Sequence, residues 1–244
     1  MSSNTKTIAF LGGTVGVGLS ALKHTLAAGH QCIALCRTPA KLAALIRLES
    51  TPNLKIVEGN AHDLSAVTKC IQADNNGEKF VDMIVSTIGS RPKGGIAPED
   101  PQCCRKGAAV MVEAINNLRN NGATGNPHIV IFSTTGLSKF GRDYPWVLWP
   151  IYGWLLKAAH EDKELMEKYF MESGQPFTVV RASLLTDGAT DKTVKVGTED
   201  PKTGRESLNI GYFISREDAG KWTAENLVFK EEKQYLNKIV MITT

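Results

Sequence analysis

The chain has 244 residues and a formal net charge of +3, with 42% hydrophobic and 22% charged residues. These are the values of an ordinary globular protein that can bury a sizeable core. The charge is too small to favour nucleic acid as a partner, and the sequence contains no lysine-rich run.

The cysteines and the apolar stretches predict neither a metal site nor a membrane segment. The cysteines lie at positions 32, 36, 70, 103 and 104 and include no CxxC pair. We therefore expect free thiols in a reducing compartment, with no metal. The most apolar stretch, Trp146 to Leu156, is shorter than the roughly 20 residues that a membrane-spanning helix needs. Because the N-terminus shows no signal peptide, we expect a cytoplasmic protein.

Strand and helix patterns alternate along the chain. Strands are predicted at Thr7–Leu11, Gln31–Cys36, Leu54–Glu58, Val81–Ser86, His128–Phe132, Phe177–Arg181 and Lys238–Ile242. Helices are predicted at Gly18–Ala28, Pro39–Glu49, Leu64–Ala73, Gln102–Asn121, Glu161–Ser173 and Arg216–Phe229. This alternation predicts a single α/β domain over residues 1–244, a Rossmann-like doubly wound parallel sheet with helices on both faces.

The first strand runs into a glycine-rich turn and then a helix. The free N–H groups of a helix N-terminus bind phosphate, so this order is typical of a dinucleotide site. The candidate cofactor residues of the turn are Gly12, Thr14, Val15, Gly16, Val17 and Gly18. Val15 stands where a GxxGxxG pattern places its middle glycine. Either the turn shifts by one residue and uses Gly16, or cofactor binding is weakened.

The second strand ends in Cys36 and Arg37, where an enzyme that prefers NAD often has an acid. Arg37 lies about 20 residues past the glycine turn, at the offset of the group that binds the adenine ribose. Its guanidinium can hold a 2′-phosphate, and Thr38 and Lys41 would complete a phosphate clamp. The cofactor predicted from this arrangement is NADP(H). The alternative is a solvated basic face at the start of a helix.

Motifs further along the chain carry a resemblance to a known family. They are VEGNAHD, VSTIG, IFSTTG, HEDKELME, VVRASLLTDG and ISREDAG, beginning at Val57, Val85, Ile131, His160, Val179 and Ile214. With the glycine turn, their order and spacing resemble the atypical short-chain dehydrogenases. The nearest group is the NAD(P)H-binding, NmrA-like group that includes B-type biliverdin and flavin reductases. The resemblance implies that Asn60 and Ala61 contact adenine, and that Thr87, Ile88 and Gly89 line the cofactor.

The resemblance also implies a catalytic set, from which one member is missing. Ser133 would bind the substrate carbonyl, and Lys163 would hold the nicotinamide ribose. The family tyrosine that exchanges the proton would fall at Ala159, and His160 lies beside it. Three interpretations stay open: His160 donates the proton, solvent donates it, or the site is not catalytic.

An aromatic segment lies between the serine and the helix that carries Lys163. Its candidate substrate contacts are Trp146, Trp149 and Tyr152, which could form a wall over the nicotinamide. Residues around 140–158 and 184–213 would then form a small substrate-side region. The alternative for the aromatic segment is a subunit interface or a local core.

These observations lead to one functional hypothesis and two rivals. The hypothesis is an NADPH-dependent oxidoreductase that transfers hydride to a small aromatic or conjugated substrate. One rival is a non-enzymatic NADP(H) redox sensor of the NmrA kind. The other is a redox-neutral isomerase, dehydratase or cyclase on the same fold.

Overall fold

The computed structural model describes residues 5–74, 76–90, 92–93, 97–150, 156–230 and 233–244. Its strands and helices are β1 (Thr7–Leu11), α1 (Gly16–Ala27), β2 (Gln31–Cys36), α2 (Pro39–Ile46), β3 (Leu54–Glu58), α3 (Leu64–Cys70), β4 (Met83–Ser86), β5 (Pro92–Lys93), β6 (Ala97–Pro98), α4 (Cys103–Asn120), β7 (His128–Thr134), α5 (Lys157–Glu172), β8 (Phe177–Ala182), β9 (Leu184–Thr186), β10 (Lys195–Asp200), β11 (Gly204–Ser207), β12 (Phe213–Ser215), α6 (Arg216–Thr223) and β13 (Lys238–Thr243). Short 3₁₀ turns lie at Leu48–Ser50, Trp146–Leu148 and Lys233–Tyr235, and a π-helical turn at Ala224–Phe229 continues α6.

A nine-stranded sheet has the order β11-β10-β13-β8-β7-β4-β1-β2-β3. From β13 to β3 every neighbouring pair is parallel. Strands β10 and β11 add an antiparallel hairpin at one edge. The predicted fold class, a single Rossmann-like α/β domain, is confirmed.

The two faces of the sheet carry separate apolar cores. Residues such as Ile8 and Phe10 pack on the side of α1 and α6, while Ala9 and Leu11 pack on the side of α3, α4 and α5. A strand buried on both faces reads as a continuous apolar run, which is why β1 could be predicted from its sequence. The carboxyl ends of the parallel strands therefore meet at one edge of the sheet, where ligands of this fold bind.

Helix α6 lies directly against α1. A Cβ atom on Gly220 would come within 2.5 Å of Val17 O and 2.4 Å of Ser20 Cβ, so only glycine allows this approach. The Ser20 hydroxyl donates to Glu217 O at 2.8 Å. These contacts fix the position of α6 along α1, and the N-termini of the two helices lie at the same edge of the sheet.

Several predicted boundaries were wrong for local reasons. Helix α1 starts at Gly16, two residues before the predicted start. Helix α2 ends at Ile46 because Arg47 adopts a left-handed backbone with φ of 49°. The hairpin of β10 and β11 was not predicted, since its sequence is polar.

Asp162 of α5 holds the N-terminus of α4 in place. Its buried carboxylate accepts from Cys104 N at 2.8 Å and from Arg105 N at 3.0 Å, and it pairs with Arg105 Nε at 3.3 Å. A carboxylate at this position satisfies two free N–H groups and matches the helix dipole.

We expect Asp162→Ala to lower the free energy of unfolding by about 2 kcal/mol, because two buried amide donors lose their charged acceptor. Denaturant unfolding at neutral pH measures the change. The matched control is Glu161→Ala on the neighbouring, exposed residue, for which we expect a change within about 0.5 kcal/mol. Equal effects of the two substitutions would contradict the capping role.

Candidate functional site

The glycine turn is fastened to the end of β4. Thr87 N donates to Leu11 O at 2.8 Å, and Thr87 Oγ1 donates to Gly12 O at 3.1 Å. Gly12 has φ of +95°, which favours glycine. A Cβ on Gly18 would lie 2.3 Å from Thr87 Oγ1 and 2.5 Å from Gly12 O, so Gly18 is required for close packing of the helix.

Helix α1 presents its first amides at this turn. Its first backbone bond runs from Leu19 N to Val15 O, and no side chain caps the helix. Gly16 has φ of +55°, whereas Val15 is extended, so the left-handed residue falls on Gly16 and the turn shifts by one residue. The Val15 side chain is 47% exposed and lines the adjoining cavity.

A cavity of about 430 Å³ opens beside the turn. Among the predicted cofactor residues, it is lined by Gly12, Thr14, Val15, Arg37, Asn60, Ala61, Thr87, Ile88 and Gly89. The structure therefore brings together the residues that follow β1, β2, β3 and β4, as expected for an elongated ligand lying across the strand ends.

Six predicted cofactor residues do not line this cavity: Gly16, Val17, Gly18, Thr38, Lys41 and Lys163. Val17 is buried in the core and Gly18 packs against Thr87, so within the turn only their backbone amides can meet a ligand. Thr38 and Lys41 are exposed and do not line the cavity, because α2 turns them away after Arg37. Of the three residues predicted to hold the 2′-phosphate, Arg37 lines the cavity and Thr38 and Lys41 do not.

Arg37 is exposed at the cavity wall and makes no ion pair or hydrogen bond with the described part of the chain. The same cavity is also lined by Glu99, Asp100 and Cys103. Asp100 is held by Gln102 N at 2.9 Å and by Lys106 Nζ at 3.4 Å. An uncommitted guanidinium facing a cavity can take an anionic ligand group.

His62 was missed by sequence reasoning and also lines the cavity. Its Nε2 lies 3.0 Å from Cys103 O, so the ring joins the turn after β3 to the start of α4. Asn60 Oδ1 accepts from His62 N at 3.3 Å, which leaves the Asn60 amide nitrogen for a ligand. The VEGNAHD motif contained this residue, but its spacing alone assigned it no partner.

The predicted catalytic residues meet at the end of β7. The Ser133 hydroxyl is buried and has no hydrogen-bond partner among the described residues. Lys163 Nζ donates to Phe132 O at 3.1 Å, so its ammonium group lies beside the serine. A buried hydroxyl without a protein partner is free to bond to a ligand atom.

The surroundings of His160 disfavour its charged form. Burial, with a smaller contribution from the charge of Lys163, lowers the pKa of His160 to about 4. The imidazole is therefore neutral at pH 7 and cannot act there as an imidazolium acid.

The two tryptophans of the aromatic segment that the structure describes are not part of a local core. Trp146 is 72% exposed and Trp149 is 64% exposed, on a 3₁₀ turn that follows Pro145. Neither lines the cavity described above. Tyr152 lies outside the described residues.

All five cysteines are free thiols, and burial raises the pKa of Cys104 to about 12. Within the described ranges, no group of three or more His, Cys, Asp or Glu could hold a metal ion. No helix in these ranges is long and apolar enough to cross a membrane.

Comparisons with known proteins agree with this geometry. A family model described as NAD(P)H-binding matches residues 12–228. The chain is 38% identical to the reductase pytE of Aspergillus terreus, over all of both chains. It is 30% identical to the oxidase pynE of Aspergillus niger, over 97% of this chain and 98% of that protein.

A solved structure shows the same fold. It is a short-chain dehydrogenase/reductase from Veillonella parvula in complex with NADP. The TM-score is 0.73 at 13% identity, over 99% of this chain and 95% of the other.

The lowered pKa of His160 predicts a pH-dependent loss of stability. The unfolded state takes up a proton near pH 6.5, whereas the folded state does so only near pH 4. The contribution is therefore present above pH 6.5 and is lost as the pH falls toward 4. We expect His160→Asn to become more stable relative to the wild type between pH 7 and pH 5, as measured by thermal unfolding. A constant difference between the two proteins over this range would contradict the assignment.

Proposed function

This chain belongs to the NAD(P)H-binding family, and on that premise we propose that it is an NADPH-dependent reductase of a small aromatic or conjugated substrate. The observation that carries the proposal is Arg37, an uncommitted guanidinium on the wall of the cavity that begins at the glycine turn. The names of the two fungal relatives, a reductase and an oxidase, support redox chemistry.

The residues present fit a phosphorylated dinucleotide. The first amides of α1 would hold the pyrophosphate, Arg37 the 2′-phosphate, and the turn of Asn60 to His62 the adenine. The Val15 side chain is exposed and lines the same cavity. When bound, NADPH would supply hydride.

The protein groups near the reacting centre would orient the substrate and stabilise charge. The Ser133 hydroxyl would donate to a substrate oxygen, and the Lys163 ammonium beside it would favour negative charge there. A neutral His160 would serve as a hydrogen-bonding group, with the proton coming from solvent. The exposed faces of Trp146 and Trp149 would receive a flat apolar ring.

A redox sensor remains the second candidate because of one observation. Ala159 occupies the tyrosine position, and the neighbouring histidine is neutral at pH 7. A protein that binds NADP and NADPH with similar affinity, and that oxidises NADPH with none of the acceptors offered, would be a sensor rather than a reductase.

We expect Arg37→Ala to weaken NADPH and NADP binding by roughly 30-fold or more while leaving NADH and NAD unchanged, because only the phosphorylated forms lose a charge-assisted contact. Calorimetric titration of the four dinucleotides measures both affinities and preference. The control is Lys23→Ala, an exposed cation on the body of α1. If no dinucleotide binds the wild type, the proposed function is wrong. A preference for NADH in the wild type would overturn the choice of cofactor.

We expect Ser133→Ala to lower kcat by about 100-fold with NADPH affinity unchanged, since one hydrogen-bond donor to the developing oxyanion is lost. The assay is NADPH oxidation with a panel of quinones, flavins and carbonyl compounds. The control is Ser183→Ala, which removes a buried hydroxyl bonded to Thr243 Oγ1 at 3.0 Å. An equal loss of activity in both variants would show a general packing effect instead.

A further inference from the structure

The side chain of Arg216 lies on the glycine turn, although the two are 200 positions apart in the sequence. A Cβ on Gly16 would meet Arg216 Cδ at 3.0 Å, Nε at 3.7 Å and Cγ at 3.8 Å. The aliphatic part of the Arg216 side chain therefore lies against Gly16, the first residue of α1. Glycine at position 16 leaves the space that this side chain occupies.

Packing between the helices holds the arginine there. Arg216 is the first residue of α6, and the close approach of Gly220 to Val17 and Ser20 fixes α6 against α1. The bond from Ser20 Oγ to Glu217 O anchors the residue next to the arginine. The position of Arg216 over the turn is thus set by the core of the protein.

The electrostatics of this position favour an anion. The N-terminal end of α1 carries partial positive charge, and its first turn contains no acidic residue. The first turn of α6 carries Glu217 and Asp218, and Asp218 is bound by Thr190. The Arg216 side chain nevertheless lies against Gly16 of α1, and its guanidinium pairs with the Asp187 carboxylate at 2.7 Å. The side chain of Asp187 is 84% exposed, so this partner is largely hydrated and weakly held.

We propose that Arg216 is a pyrophosphate-binding residue of the dinucleotide site, and that Asp187 holds its guanidinium in the free protein. This inference rests on the proposed function, because it assigns a ligand contact within the same site. The pyrophosphate, lying at the first amides of α1, would replace Asp187 as the anionic partner. Arg216 would then bind the pyrophosphate, and Arg37 would bind the 2′-phosphate on the adenine ribose.

The test uses this separation. NADPH and NADH share the pyrophosphate, whereas only NADPH has the 2′-phosphate. We expect Arg216→Gln to weaken both ligands by the same factor, about tenfold, and to leave their ratio unchanged. Arg37→Ala should instead change the ratio. Titration of both ligands against the full chain measures each effect.

Two further variants serve as controls. Lys221→Gln removes a positive charge from the same helix, where the lysine pairs with Glu225 at 3.9 Å, and should leave both affinities unchanged. Asp187→Asn removes the competing carboxylate from an exposed position and should tighten both ligands by about threefold. Because Asp187 is largely solvated, this variant keeps the test informative if Arg216→Gln folds poorly.

Several outcomes would overturn the inference. One is an Arg216→Gln variant that binds both ligands as Lys221→Gln does. Another is a loss confined to NADPH, which would assign Arg216 to the 2′-phosphate. Unchanged affinity in Asp187→Asn would refute the competition between carboxylate and pyrophosphate. Failure of the wild type to bind either dinucleotide would instead refute the proposed function, and the inference with it.

Discussion

The Thr87 hydroxyl occupies the space that Cβ atoms on Gly12 and Gly18 would need, and the geometry of the cofactor site depends on this contact. It joins the end of β4 to the glycine turn and to the first turn of α1. Because Gly220 in turn packs α6 onto α1, the same contact determines where the N-terminus of α6 lies. Two helix N-termini are therefore aligned at the same edge of the sheet by close glycine packing together with the Thr87 and Ser20 hydroxyls.

This edge of the sheet carries two arginines that have few partners among the described residues, while Glu99 and Asp100 also line the cavity there. Arg37 has no partner in the described part of the chain, and Arg216 has only a solvated carboxylate. Of the two acids that line the cavity, Asp100 already accepts from Lys106 Nζ and from a backbone amide. A ligand with two separated phosphate groups, as proposed above, would satisfy both cations at once.

The sequence was sufficient for the parallel core and for most of the cavity wall, since both depend on local pattern. The bounds of β1, β2 and β3 were predicted correctly because each is an apolar run between turn residues. Contacts between side chains far apart in the sequence could not be predicted. Glu199 of the polar β10 is buried and pairs with Arg181 of β8 at 3.3 Å, and no local pattern reports that pair. The contact of Arg216 with Gly16 likewise follows from helix packing alone.

The side chains near Ser133 limit the chemistry that the site can support. Among the described residues, a neutral His160 and an alanine at the tyrosine position leave the Lys163 ammonium, which donates to Phe132 O, as the charged donor beside Ser133. One hydroxyl donor and the Lys163 ammonium can stabilise a developing anion, but they do so best when the charge is already spread over the substrate. An acceptor such as a quinone or a flavin delocalises that charge, whereas an isolated ketone concentrates it on one oxygen. The absence of the family tyrosine is therefore in keeping with the conjugated class of substrate proposed above.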